Sequence, residues 1–284
     1  MPTDNVSGAD NQQETCVAFY YFTGFCCGEG SFSLLKLNNR KSKNGGVYYT
    51  PDFTVSNAEI ILLKELNNVI TGGLGIISKI KGGYNLSFRG KEKVKKVISF
   101  LRKYPPMVGD LFQSRLLLLE RAIYLLEAEK GYRRSEVLRH KLESIRSQLS
   151  KIKKTAIPIS EFPLNKFDRE SQGYFLSGVF DADGSVGFKS NGSRKQPFFA
   201  IAMKDQKIVE LFKNYFKLGN IHMRPKEKMI HFEVGAQSEV RNILQKFFNK
   251  YPPKLRKMRQ RVDNTLRILN DYTQGSKCKS LGMR

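Results

Sequence analysis

The sequence has no tryptophan, three histidines and four cysteines. Cys16, Cys26, Cys27 and Cys278 lack Cys-x-x-Cys spacing, which argues against a disulfide scaffold or zinc finger and fits a reducing compartment. His140, His222 and His231 are widely separated, so no His-metal nuclease motif is visible, and no nucleophilic triad either. No apolar run approaches the roughly 20 residues that a membrane span needs, so no membrane partner is expected. Met1 to Thr15 is polar and acidic, unlike a secretory signal or an Arg-rich transit peptide, and secretion is not expected. Acidic residues are also scarce. Only 26 Asp and Glu face 49 Lys and Arg, giving a net charge of +23. A hydrophobic fraction of 40% supports a folded core, and the charge points to a polyanionic partner, DNA or RNA.

The chain repeats itself. Tyr20-Tyr21-Phe22-Thr23-Gly24-Phe25-Cys26-Cys27-Gly28-Glu29-Gly30-Ser31 parallels Tyr174-Phe175-Leu176-Ser177-Gly178-Val179-Phe180-Asp181-Ala182-Asp183-Gly184-Ser185. Lys103-Tyr104-Pro105-Pro106 recurs as Lys250-Tyr251-Pro252-Pro253 at nearly the same offset. Two markers in the same order indicate a duplicated unit. Around them the hydrophobic patterns alternate between helical and strand periods as α-β-β-α-β-β-α-α, twice. Parallel βαβ spacing is missing, so the class is α+β with antiparallel sheets. The expected organisation is a first repeat over 16–130, a linker with a basic helix over 131–169, a second repeat over 170–273 and a basic, frayed tail over 274–284.

Gly24 and Gly178 fall mid-helix, where glycine costs about 1 kcal/mol against alanine. Close approach of two helices would compensate, and Thr23, Cys27, Ser177 and Ala182 are small enough to allow it. That packing sets Glu29 and Asp183 side by side at the helix ends, where two carboxylates repel unless a cation lies between them. All-oxygen ligands suit Mg²⁺ or Mn²⁺. An EF-hand loop opening at Asp181 is excluded, because Ser185, Val186 and Gly192 stand where it needs an acid, glycine and glutamate. Asp181, whose counterpart is Cys27, faces another side of its helix and reads as a packing or helix-end residue.

Leu176 to Gly184 resembles the signature of the LAGLIDADG homing endonucleases, and Phe22 to Gly30 is similar to a divergent copy ending in Glu. The resemblance extends from about Ala18 to Tyr272. It implies two pseudo-symmetric units, each with a curved four-stranded antiparallel sheet, that together form a saddle on double-stranded DNA. It also implies a monomer that hydrolyses both strands of a long asymmetric site with divalent metal and leaves 3′ overhangs. Glu29 and Asp183 are then catalytic and metal-binding, with the backbone of Gly28 and Ala182 beside the metal. Mg²⁺ is the expected cofactor, Mn²⁺ its substitute, and Ca²⁺ an ion that supports binding without cleavage. Lys257 is the candidate central base. In the first repeat Met107, Val108, Gly109 and Asp110 follow the Pro-Pro pair, and Arg115 is the nearest base. Two-copy members are common in mitochondrial and plastid introns, which sets the expected location. An RNA-binding intron maturase and an inactive DNA-binding regulator are the alternative readings. Acids in both copies favour the nuclease.

Strand alternation nominates the reading face. In the first repeat it comprises Ser31, Ser33, Leu35, Leu37, the loop residues Asn39, Arg40 and Lys41, then Tyr48, Thr50, Asp52, Thr54, Ser78, Asn85, Ser87 and Arg89. In the second it comprises Ser185, Gly187, Lys189, Asn191, Arg194, Gln196, Asn220, His222, Arg224, Lys226 and His231. Arg pairs best with guanine and Asn or Gln with adenine, whereas Lys more often meets phosphate.

Overall fold

The computed structural model describes residues 17–38, 46–129, 135–152, 167–191, 194–224 and 227–281. Asn39, Arg40, Lys41 and Lys226 lie outside them, as do the side chains of Asn191 and Arg194. The chain forms two compact units, one of Met1–Gly28 with Phe167–Arg284 and the other of Glu29–Lys166. Helix α1 (Tyr20–Glu29) therefore belongs, up to Gly28, to the unit that carries the second repeat.

The Glu29–Lys166 unit contains β1 (Gly30–Asn38), β2 (Val47–Asn57), α2 (Ile60–Thr71), β3 (Ile76–Ile80), β4 (Gly83–Arg89), α3 (Lys91–Lys103), α4 (Asp110–Ala128) and α5 (Glu136–Ile152). Its antiparallel sheet has the order β1-β2-β4-β3. The period-2 pattern decides the faces. Phe32 opposes Phe53, which opposes Phe88, and Val55 opposes Leu86. All four of those strand residues on β2 and β4 are fully buried under α2, α3 and α4. The turn from β3 to β4 uses Gly82 at φ +85°, a left-handed conformation that suits glycine.

The basic linker helix α5 is packed rather than merely solvated. Leu138, Leu142, Ile145 and Leu149 form one buried stripe. Glu143 fixes the helix to the sheet. It accepts from Tyr49 Oη at 2.7 Å and pairs with Lys36 Nζ at 2.6 Å. The Lys36 ammonium, then the Tyr49 hydroxyl, hold its carboxyl down at about 2.

The other unit continues from α1 with α6 (Arg169–Asp183), β5 (Gly184–Asn191), β6 (Arg194–Met203), α7 (Gln206–Phe216), β7 (Asn220–Met223), β8 (Ile230–Val234), α8 (Gln237–Asn242), a π-helical turn (Ile243–Phe247), α9 (Phe248–Lys250) and α10 (Arg256–Leu281). Asp168 caps α6, accepting from Ser171 N at 2.7 Å. The sheet order β5-β6-β8-β7 repeats that of the first unit. Phe180, Phe199, Phe212 and Phe232 fill its core.

Two local expectations change. β7 ends at Met223, so Arg224 lies beyond the strand and pairs with Glu227 at 3.7 Å. The helix before the second Tyr-Pro-Pro turn is interrupted by the π-helical turn. Helix α10 spans Arg256–Leu281.

Candidate active site and nucleic-acid interface

The register gathers the nominated residues of the first sheet on the face opposite its core. Leu37 opposes Tyr48, Leu35 opposes Thr50, Ser33 opposes Asp52 and Ser31 opposes Thr54. Asp52 then opposes Arg89, Thr54 opposes Ser87, and Asn85 opposes Ser78. Ser56, Ile76 and Ile80 share this face by register and were not nominated. The two isoleucines read as core by residue type, yet both are exposed on an edge strand. On the second sheet Lys189 opposes Gln196, Asn191 opposes Arg194, and His222 opposes His231. Ser185, Gly187 and Asn220 keep the same parity and oppose Ala200, Phe198 and Glu233. The rings of His222 and His231 stack at 5.3 Å, and His231 also meets Glu227 at 2.7 Å. Lys189 is paired with Glu233.

The motif helices α1 and α6 touch through their backbones. A Cβ added to Gly24 would fall on the Phe175 carbonyl oxygen, and one added to Gly178 on the Tyr21 carbonyl oxygen. Four residues beyond Gly24, a Cβ on Gly28 would stand 2.6 Å from Asp183 Oδ2. The contacts advance in the same direction along both helices, so the helices are parallel and end together. Their C-terminal ends carry partial negative charge. Asp183 keeps an exposed surface, yet protein crowds its carboxylate, and burial pushes the carboxyl up to about 6. Glu29 is the next residue after Gly28 and the last of α1. Crowded carboxylate oxygen at paired helix C-termini is a setting that favours a hard cation. Among the described residues no three His, Cys, Asp or Glu side chains are grouped to hold a metal. Within this unit the groups that could donate to such an ion are the Asp183 carboxylate and the carbonyls of Gly28 and Ala182.

A family model described as LAGLIDADG endonuclease matches residues 22–111 and 176–263, once for each repeat. The chain belongs to the LAGLIDADG endonuclease family. It is 23% identical over 251 residues to probable intron-encoded endonuclease 3 of Neurospora crassa, covering 82% of this chain and 46% of that relative. The chain thus spans about half the length of the relative it matches. Its fold is similar to that of the LAGLIDADG homing endonuclease I-SmaMI bound to cleaved DNA, with a TM-score of 0.73, 21% identity, and 91% and 90% of the two chains covered. It is equally similar to the LAGLIDADG meganuclease I-CpaMI bound to uncleaved DNA, with a TM-score of 0.73, 20% identity, and coverage of 93% and 95%. I-SmaMI on an uncleaved DNA target in the presence of calcium ions matches at a TM-score of 0.67, 21% identity, and coverage of 91% and 89%.

In this member of the LAGLIDADG endonuclease family the first acid of the second motif, Asp181, is buried and structural. It accepts from the Tyr21 hydroxyl, from Lys254 N at 2.5 Å and from Leu255 N at 3.1 Å. It therefore ties α6 to α1 and to the turn that starts α10. Replacement by alanine strands two backbone N–H groups, and Asp181→Ala is expected to lower stability by about 3 kcal/mol in urea unfolding. Cys27, its counterpart, has its thiol held neutral, chiefly by burial.

Lys257 lies exposed in the first turn of α10. The first repeat starts its corresponding helix, α4, with Asp110. Its cation enters one turn later, from Arg115, whose Nη2 donates to Ser31 Oγ at 3.2 Å. Ser31 is two residues beyond Glu29. Burial lowers the Arg115 pKa. Chain distance hid this contact, since 84 residues separate the partners.

Proposed function

We propose that the chain is a site-specific endonuclease that cuts double-stranded DNA, as a monomer, at a long asymmetric target. The carrying observation is the backbone contact of α1 with α6, which brings Asp183 against Gly28, the neighbour of Glu29. The net charge of +23 and the hydrogen-bonding side chains on the outer sheet faces, among them Asn85, Arg89, Lys189 and Gln196, support DNA as the substrate. Glu29 and Asp183, with the carbonyls of Gly28 and Ala182, would hold Mg²⁺, or Mn²⁺ in its place. Such an ion supplies Lewis-acid activation of water and charge stabilisation at the leaving oxygen. The protein's own part is to orient the phosphate between the acids, with Lys257 adding positive charge where the transition state gains negative charge. Cleavage is expected to leave 3′ overhangs. Carboxylates at the motif ends serve no purpose in a maturase or a regulator that only binds.

The test is cleavage of a randomised duplex library with Mg²⁺ or Ca²⁺. Specific cuts with Mg²⁺ and selective binding alone with Ca²⁺ are the expected result. Selective binding without cuts in either ion, and with Mn²⁺, would transfer the reading to a maturase or regulator.

Asp183 also sets a pH dependence. Its carboxyl holds a proton up to about 6 in the folded chain, against 3.8 for the ordinary group. A raised carboxyl contributes stability below pH 3.8 that is lost as pH rises through 6. Urea midpoints of the metal-free protein and Asp183→Asn should therefore be closest near pH 4. By pH 7 the variant should be the more stable. Mg²⁺-dependent cleavage should fall as pH drops below 6, because a protonated carboxyl does not bind the ion.

A further inference from the structure

Asp52 stands on the outer face of the first sheet, the face read above as meeting DNA, yet it is only 3% exposed. A carboxylate there repels phosphate and loses hydration, so the sheet keeps it at a cost. Its partners identify its use. Arg89, directly across on β4, donates to Asp52 Oδ2 through Nε at 3.4 Å and Nη2 at 3.2 Å. Ser87 Oγ donates to Oδ1 at 2.8 Å, so both carboxylate oxygens are engaged. With so little surface left, Asp52 has no room to accept from a cytosine amino group. The Arg89 side chain, in contrast, remains 56% exposed. Its guanidinium is tethered to Asp52 through Nε and Nη2, with Nη1 outside that pair of hydrogen bonds.

A phosphate contact needs charge and reach, and a neighbouring carboxylate weakens both. A base contact needs a fixed plane. Two parallel N–H donors on a held guanidinium match guanine O6 and N7, and holding them beforehand reduces the side-chain entropy lost on binding. We infer that Arg89 reads a guanine in the major groove over the first sheet and that Asp52, supported by Ser87, is its positioning residue. This rests on the DNA-endonuclease reading above.

The experiment selects sequences from a randomised half-site library with the full chain in Ca²⁺. Wild type is compared with Arg89→Ala, Arg89→Lys, Asp52→Asn and Ser87→Ala, each checked by thermal melting. Wild type should prefer guanine at one position by about 10- to 100-fold, the range expected of a bidentate pair. Arg89→Ala should erase that preference, and Arg89→Lys should not restore it. Asp52→Asn should weaken it at least about threefold at that position alone, although the arginine is still present. Ser87→Ala, which keeps the ion pair, should give a smaller loss at the same position and serves if Asp52→Asn melts early. An unchanged guanine preference in both Asp52→Asn and Ser87→Ala overturns the positioning role. An even loss of affinity across all sequences in Arg89→Ala makes Arg89 a phosphate clamp and overturns the inference. Absence of any selective binding by wild type would instead sink the endonuclease reading itself.

Discussion

Asp183→Asn should reduce DNA cleavage by about 10³-fold or more while leaving the fold and DNA binding in place. A Lewis-acidic ion is worth several kcal/mol in the transition state, and each 1.36 kcal/mol is tenfold in rate. If Asp183 holds the ion as proposed, removing its carboxylate forfeits most of that stabilisation. Folding should not suffer, because the carboxylate is desolvated and contributes no stability at neutral pH. Glu29→Gln should lose cleavage to a similar degree. Single-turnover cleavage and a gel-shift titration in Ca²⁺ separate the two effects. Loss of the fold in both variants would refute this division of roles, since the acids would then be structural.

Gly178→Ala should lower stability by about 3 kcal/mol and abolish cleavage as well. Overpacking usually costs about 1–3 kcal/mol, and side chains can rotate to relieve it. Here the added Cβ meets backbone, namely the Tyr21 carbonyl and Phe25 N, the latter at 2.8 Å. Relief requires α1 and α6 to separate. That opens the contact at Gly28, moves Asp183 and strains the Tyr21–Asp181 hydrogen bond. The better helix propensity of alanine returns only about 1 kcal/mol. Gly24→Ala meets the Phe175 carbonyl and should behave alike. Gly46→Ala, with nothing within 4 Å of the new Cβ, should stay within about 0.5 kcal/mol of wild type. Urea melts of the three variants test this. Equal stability of Gly178→Ala and Gly46→Ala would contradict the backbone contact.

Much of the fold could be read from residue order. The period-2 alternation of Ser31-Phe32-Ser33-Leu34 and of Asp52-Phe53-Thr54-Val55 places Phe32, Leu34, Phe53 and Val55 on the core side, as the register has it, while Leu35 and Leu37 fall on the outer face. Mid-helix Gly24 and Gly178, with Thr23, Cys27, Ser177 and Ala182 nearby, mark the close helix pair in the sequence itself. Other features could not be read that way. Asp52 looks like one more polar residue on an outward face, and its burial arises from Arg89 and Ser87, 37 and 35 residues away. Likewise, Asp181 takes its partners from Tyr21 and Lys254. The charged linker helix looks solvated until Glu143 is seen to meet Lys36 and Tyr49 on the sheet.

The sequence by itself determined the duplicated α+β plan, the basic surface and the two acids that close the motif helices. These depend on local sterics and on the spacing of apolar residues, which a chain carries wherever it lies. Only the tertiary structure decided that α1 packs in the unit of the second repeat, that Asp183 is desolvated to a pKa of about 6, and which carboxylates serve as supports for other groups. Desolvation and pairing depend on which distant groups share a neighbourhood, and residues that meet across 37 or 160 positions leave no local signal of it.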